Sequence, residues 1–212
     1  MAEKLLLFDF DGVIVDSIAF YEELTRLYSE EIGFTIAETR EDFLSLYDDN
    51  FYLSLRKQGI DLDALGKASK VVAPKLDYDK IRPFEELFPV LEAFSRDNVL
   101  LIVSSNSGTT IERILSKYEC YRCFRDILGA DFMVSKVDKI AHAMKEWEKD
   151  TAHTYFITDT TGDIREAQEA GVVTVAVTWG WHSRERLERT APDHIIERPA
   201  ELLRLLEPDV SD

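Results

Sequence analysis

The chain has 212 residues, 45% of them hydrophobic, with 41 acidic against 25 basic side chains and two cysteines. That length is enough to bury a sizeable core and to carry one inserted module, while a formal net charge of −16 repels nucleic acid and anionic membrane surfaces. No apolar run reaches the ~20 residues of a membrane span, and the first is cut at Asp9, too early for a secretory signal, so a cytoplasmic protein with no nucleic-acid or membrane partner is expected.

The first strand is expected at Leu5-Leu-Leu-Phe8, a short apolar run of the kind that lies buried in a parallel sheet. It stops abruptly at Asp9-Phe10-Asp11-Gly12. Side chains two apart on an extended chain share a face, so Asp9 and Asp11 would converge beyond the strand's carboxyl end, where ligands of such sheets sit. Gly12 permits a tight exit. Two carboxylates presented in this way point to phosphoryl chemistry.

Ser17 is the expected cap of a helix whose apolar residues, from Ile18 through Tyr21, Leu24 and Tyr28 to Ile32, recur at three and four and stop at Gly33. Residues 41–58 read as a second helix and 61–73 as a third, ended by Pro74. Alternation of strands and helices then resumes: helix 84–95, strand 99–104, helix 109–118, strand 126–128, helix 137–149, strand 154–158, helix 163–170 closed by Gly171, strand 173–177, strand 194–196 and helix 199–206. The expected fold class is therefore α/β: a Rossmann-like parallel sheet with helices on both faces, plus an all-helical cap inserted after the first strand. Residues 1–16 and 82–212 would form the core and 17–81 the cap, with the crossings near Asp16 and Arg82-Pro83 as the hinge.

Three later segments supply further parts of a site. Strand 99–104 runs into Ser104-Ser105-Asn106, Lys136 and Lys139 stand at the start of helix 137–149, and strand 154–158 ends in Asp159, with Asp163 at the expected start of the next helix. Together with Asp9 and Asp11, these segments resemble the haloacid dehalogenase superfamily of phosphohydrolases, within it the phosphoglycolate-phosphatase-like branch, over residues 5–171; the stretch Val177 to Ser183, with Trp179 and Trp181, is similar to that branch too.

The resemblance implies Mg²⁺-dependent hydrolysis of a small phosphorylated metabolite, with 2-phosphoglycolate as one candidate, by a monomer or homodimer. It makes Asp9 the nucleophile that forms an aspartyl phosphate and Asp11 the general acid and later base. Lys136 becomes the cation that neutralises the reacting oxygens, with Lys139 as the alternative. Ser104, which follows the apolar run directly, would bind a phosphate oxygen with help from the backbone N–H groups of Ser105 and Asn106. Mg²⁺ would be held by the side chains of Asp9 and Asp159, the backbone carbonyl of Asp11, and Asp163 directly or through a water. Four acids so close would repel one another without a cation. In the same family a helical insert at this position is a mobile lid over the site. A phosphosugar mutase, or a catalytically silent phosphate-binding protein, would use the same scaffold.

Two positions depart from the family pattern: Thr158 stands where Gly commonly precedes the first acid of the last motif, and Val137 follows Lys136 where Pro is frequent. Cys120 and Cys123 form a C-x-x-C pair without the further ligands of a structural zinc site and read as packing residues. The histidines at 142, 153, 182 and 194 are scattered and read as surface or loop residues.

Overall fold

The computed structural model describes residues 3–133 and 135–206. Residues 1–2, Val134 and 207–212, which belong to the expected core, lie outside the described residues. Six strands, β1 (Leu5–Phe8), β4 (Val99–Val103), β5 (Asp126–Leu128), β6 (Thr154–Thr158), β7 (Val173–Val177) and β8 (His194–Ile196), form one parallel sheet in the order β5-β4-β1-β6-β7-β8. Counting only these six in chain order, the arrangement is 3-2-1-4-5-6, the doubly wound order of a Rossmann sheet, whose crevice opens where the order reverses beside the first strand. β1 sits in the middle, with Leu5 in register with Val99 on one side and Thr154 on the other.

Covered on both edges and both faces, β1 is fully buried along its length, which is why its sequence reads as a continuous apolar run rather than an alternating one. Its side chains divide between two cores. Leu6 and Phe8 join Leu100, Ile102 and Val175 under the helices α5 (Phe88–Phe94) and α6 (Gly108–Leu115). Leu5 and Leu7 join Leu101, Val103 and Phe156 under α7 (Lys136–Glu146) and α8 (Thr161–Ala170). Each fully buried Leu or Phe adds about 1.5–3 kcal/mol of transfer free energy, so the strand that delivers Asp9 is held from every side.

Between β2 (Val15–Asp16) and β3 (Arg82–Pro83), which pair antiparallel where the chain leaves and re-enters the core, lie α1 (Ile18–Ile32), α2 (Arg40–Ser45), α3 (Phe51–Lys57) and α4 (Leu62–Val72). α1 stops at Gly33, whose left-handed φ of 68° forms the helix end. Ser17 precedes α1 but makes no side-chain capping bond. The helix expected over 41–58 is broken in two. Asn50 caps α3 through the Leu53 N–H, and the Tyr47 carbonyl accepts from Gly162 N–H of α8 at 2.9 Å. At the break the N–H groups of Leu46, Tyr47 and Asp48 keep short turn bonds, while the carbonyls of Tyr47 and Asp48 are turned to the core.

Elsewhere α7 begins at Lys136 with Ser135 as its cap, and α8 begins at Thr161 with Thr160 as its cap, so Asp163 lies inside the first turn. Two short helices, α9 (Arg184–Glu188) and α10 (Glu201–Leu206), complete the described chain. Cys120 and Cys123 are buried, unpaired and packed in the larger core cluster. His182 departs from expectation: it is buried, accepts the Thr161 N–H at Nδ1 (3.1 Å) and donates from Nε2 to the Leu44 carbonyl (3.0 Å). No described helix is long and apolar enough to cross a membrane.

Candidate active site

β1, β4 and β6 end side by side, and the loops beyond them carry the candidate residues to one cavity of about 340 Å³ lined by Asp9, Asp11, Ser104, Ser105, Asn106, Lys136 and Asp163. Asp9 follows directly on β1, and its N–H continues the ladder to the Ile157 carbonyl at 2.9 Å. Lys136, at the first position of α7, is buried, with Nζ 3.0 Å from Asp9 Oδ1 and 2.6 Å from Asp163 Oδ2. The Phe10 N–H also donates to Asp9 Oδ1 at 2.8 Å. Of the two lysines, Lys136 therefore faces the acids. Lys139, one turn on and fully buried, donates to the Ser104 carbonyl at 2.5 Å and holds the β4 loop in place.

The charge balance is lopsided. Burial drives the Asp9 carboxyl well above the ordinary carboxylate range, with Lys136 opposing and Asp163 adding to the rise. Burial also raises Asp159, to about 8, against the Trp181 N–H that it accepts at 2.7 Å. Asp163 is likewise penalised by burial, but the Lys136 ammonium and hydrogen bonds from Lys136 and Thr158 outweigh it and hold this acid low. Thr158, where the family pattern has Gly, thus does work of its own: its hydroxyl donates to Asp163 Oδ2 at 3.0 Å. One ammonium serves two carboxylates, and Asp159 is left outside the arrangement.

Asp159 is enclosed by glycines. A Cβ on Gly12 would stand 2.0 Å from Asp159 Oδ2, and one on Gly180 would stand 2.3 Å from Asp159 Cβ. Gly12 also has φ of 77°, open to glycine at no steric cost. Asp159 Oδ1 is buried and accepts no hydrogen bond. Among the described residues no three carboxyl, imidazole or thiol groups are drawn together tightly enough to enclose a metal ion, and Lys136 Nζ bridges Asp9 and Asp163. The donor set nevertheless suits a hard divalent cation: oxygen ligands only, and two carboxylate oxygens, Asp11 Oδ1 and Asp159 Oδ1, that are buried with no hydrogen-bond partner.

Asp11 occupies a different environment. Burial raises its pKa to about 6, against polar neighbours that include Ser17 and Asn106. Asn106 Nδ2 donates to Asp11 Oδ2 at 3.4 Å and also reaches the Tyr21 hydroxyl, while Ser17 Oγ and Asp11 Oδ1 make no well-formed hydrogen bond. The Asn106 N–H is turned to Ser104 Oγ at 3.0 Å, so in this arrangement it shapes the loop. Ser104 itself is buried at the cavity edge.

Several further residues, not expected at the site from the sequence, shape its surroundings. Glu166 takes the Lys136 N–H at 2.9 Å and the Asn50 amide at 3.2 Å; its place one turn after Asp163 on α8 was the available signal. Asp48 accepts two bonds from Arg186, at 2.8 and 2.6 Å, one from Thr161 at 3.0 Å, and at its carbonyl one from Arg165. Trp181 is buried against Tyr21, Phe43 and Tyr47 of the helical insert, with ring centroids 5.8, 5.5 and 4.8 Å away.

A parallel sheet with acids gathered at its switch point defines an α/β enzyme of the hydrolase kind, and comparison with known proteins agrees. The family model described as haloacid dehalogenase-like hydrolase matches residues 6–177, and the chain belongs to that family. It is 26% identical over 205 residues to a phosphoglycolate phosphatase of Synechococcus elongatus, covering 94% of this chain and 95% of that protein. It is 25% identical over 197 residues to the tyrosine-protein kinase PtkA of Mycobacterium tuberculosis, covering 89% of this chain and 66% of that protein. A haloacid dehalogenase-like hydrolase of Streptococcus pneumoniae has the same fold, with TM-score 0.80, 22% identity and coverage of 97% and 99% of the two chains. Both relatives are named for handling a phosphoryl group, and the one matched along its whole length is a phosphatase. This chain is an enzyme of that phosphatase kind.

Proposed function

We propose that the protein is a Mg²⁺-dependent phosphatase for small phosphomonoesters, acting through an aspartyl phosphate on Asp9. The observation that carries the reading is the buried pair of Asp9 and Lys136 at the cavity floor, 3.0 Å apart, with Asp11 on the same cavity wall. An Asp9 oxygen bonds to phosphorus as the ester P–O bond breaks. Asp11, with a pKa near 6, gives its proton to the departing alcohol oxygen. As a carboxylate it then takes a proton from the water that attacks phosphorus and releases Asp9. Lys136 offsets the negative charge that gathers on the oxygens between Asp9 and the phosphoryl group, and Ser104 Oγ offers a hydrogen bond to a phosphate oxygen.

Asp9, Asp159, Asp163 and the Asp11 carbonyl would hold Mg²⁺, which supplies positive charge to a site that otherwise repels its substrate. Residues 1–16 and 82–212 would be the catalytic core and 17–81 a cap that closes on it, hinged at β2 and β3. The net charge of −16 disfavours nucleic acid or an anionic membrane as partner, and on this reading the protein acts on a small metabolite in the cytoplasm, as a monomer or a homodimer.

The test pairs turnover with trapping. A panel of phosphomonoesters is assayed for inorganic phosphate with Mg²⁺ and with chelator, and Asp11→Asn is incubated with an aryl phosphate, whose leaving group needs little protonation. Metal-dependent phosphate release and a phosphoryl group mapped to Asp9 are expected. Activity that survives exhaustive chelation removes the metal from the proposal, a label on another residue removes the nucleophile, and an isomerised sugar phosphate in place of free phosphate identifies a mutase.

A further inference from the structure

With the phosphoryl end fixed by Asp9, Lys136 and Ser104, the rest of any substrate must fill the part of the cavity walled by the helical insert. That part is mostly hydrocarbon and aromatic: Phe20, Leu24, Leu55 and Leu65 line it together with Tyr47 and Phe51, and its small polar side chains, Thr25 and Ser69, are uncharged. The last two rings are stacked, 5.1 Å apart at 14°, and Trp181 stands edge-on to Tyr47 at 4.8 Å.

Charge is as telling as shape. Among the described lining residues Lys136 is the one cation, and it is already engaged by Asp9 and Asp163. The lining acids outside that cluster are Asp11 and Asp49, and Asp49 is paired with Lys57, which does not line the cavity. Arg113 lies over the Tyr78 ring, 4.6 Å from its centroid, and does not line it either. The tyrosine hydroxyls are partly spent. Tyr52 donates to the Ser105 carbonyl at 3.4 Å, Tyr21 is bonded to Asn106, and Tyr28 is bonded to Ser69. A carboxylate turned toward the insert wall would lose its hydration and find no cation there beyond the one already engaged by Asp9 and Asp163, whereas a ring would replace water on apolar walls. The volume of about 340 Å³ suits a phosphate and one ring, at the small end of the ~300–1,000 Å³ range of ligand sites.

Resting on the phosphatase reading above, we propose that the leaving group of the substrate is an uncharged, hydrophobic alcohol of about ring size, and that the site selects against a leaving group bearing a carboxylate, 2-phosphoglycolate included.

The test compares kcat/KM of the intact protein with Mg²⁺ for benzyl phosphate, n-butyl phosphate, glycerol 3-phosphate and 2-phosphoglycolate, all alkyl esters, so that an activated phenol does not bias the series. Benzyl phosphate is expected to exceed 2-phosphoglycolate by about tenfold or more, since a buried charge left unpaired is rejected strongly. Butyl phosphate should fall between benzyl phosphate and glycerol 3-phosphate. A ratio near one, or preference for 2-phosphoglycolate or glycerol 3-phosphate, overturns the inference and leaves the phosphatase reading intact. No turnover of any ester overturns both. Tyr52→Arg, checked for folding by circular dichroism, should move the ratio toward 2-phosphoglycolate by placing a cation on the aromatic wall; the wild-type ranking decides the question if that variant does not fold.

Discussion

The two walls of the cavity are built on opposite principles. The core wall is charged and over-determined: Asp9 is fixed by a strand buried on all sides, by the Phe10 N–H and by Lys136. The insert wall is neutral and aromatic. Much of its polar attachment to the core runs through Asp48, whose side chain is 43% exposed, and through backbone groups of Leu44 and Tyr47. On the proposed mechanism the core wall would hold an attacking carboxylate within a few tenths of an ångström, which needs rigid support. The insert wall would select a leaving group and let it go, for which a few contacts that can be broken and remade suffice.

The contrast is broken most severely at Asp9. Asp9→Asn should lower turnover by a factor of about 10³ or more and leave the fold intact by circular dichroism, since it removes a carboxyl whose charge is disfavoured by burial. Near-native turnover would sink the assignment. Lys136→Ala should cost about 3–5 kcal/mol in denaturant unfolding, because two buried carboxylates lose their counter-charge. Added Mg²⁺ should return part of that loss as a higher melting temperature, through binding to the folded state alone; if the variant gains nothing from the metal, the oxygen set described here is not its site.

The glycines around Asp159 test the core wall more gently. Gly180→Ala would bring a Cβ to 2.3 Å from Asp159 Cβ, and the displacement should cost about 1–3 kcal/mol and weaken Mg²⁺ binding measured by calorimetry. Unchanged metal affinity would separate Asp159 from the metal.

The smallest effect belongs to the insert wall. Arg186 lowers the Asp48 pKa by hydrogen bonding and charge, against a desolvation cost. The stability this adds is present above the unfolded value near 4 and is lost as pH falls through the lower folded value. Because Asp48 is more than a third exposed, solvent screening limits the pair to about 1 kcal/mol or less. Asp48→Asn should accordingly flatten the acid side of the pH–stability curve below about pH 4 and alter KM more than kcat. An acid limb identical to wild type would show that the Asp48–Arg186 pair adds nothing to the hold on the insert.

The core wall was legible in the sequence because each part is local. A strand that must be apolar on both faces announces itself as Leu5–Phe8, and the acids and hydroxyls that close β1, β4 and β6 follow in the next one to three residues. The short strand ends drew attention to Asp9, Asp11, Ser104 and Asp159, and the resemblance added Lys136 and Asp163; the structure places Lys136, and not its alternative Lys139, against the acids.

The insert wall depends on pairings distant in sequence. The break in the helix expected over 41–58 is set by Gly162 and Arg186, more than a hundred residues away. The burial of His182 is set by the carbonyl of Leu44, and the enclosure of Asp159 by Gly12 and Gly180 approaching from two loops. By itself the sequence determined the strands of the sheet, the acids that close them and the helical character of the insert, since periodicity and strand ends are short-range properties. Only the tertiary structure decided which acids share the Lys136 ammonium, which side chains of the insert line the cavity and how little positive charge stands among them, because burial and charge pairing follow from packing between segments that carry no information about one another until they meet.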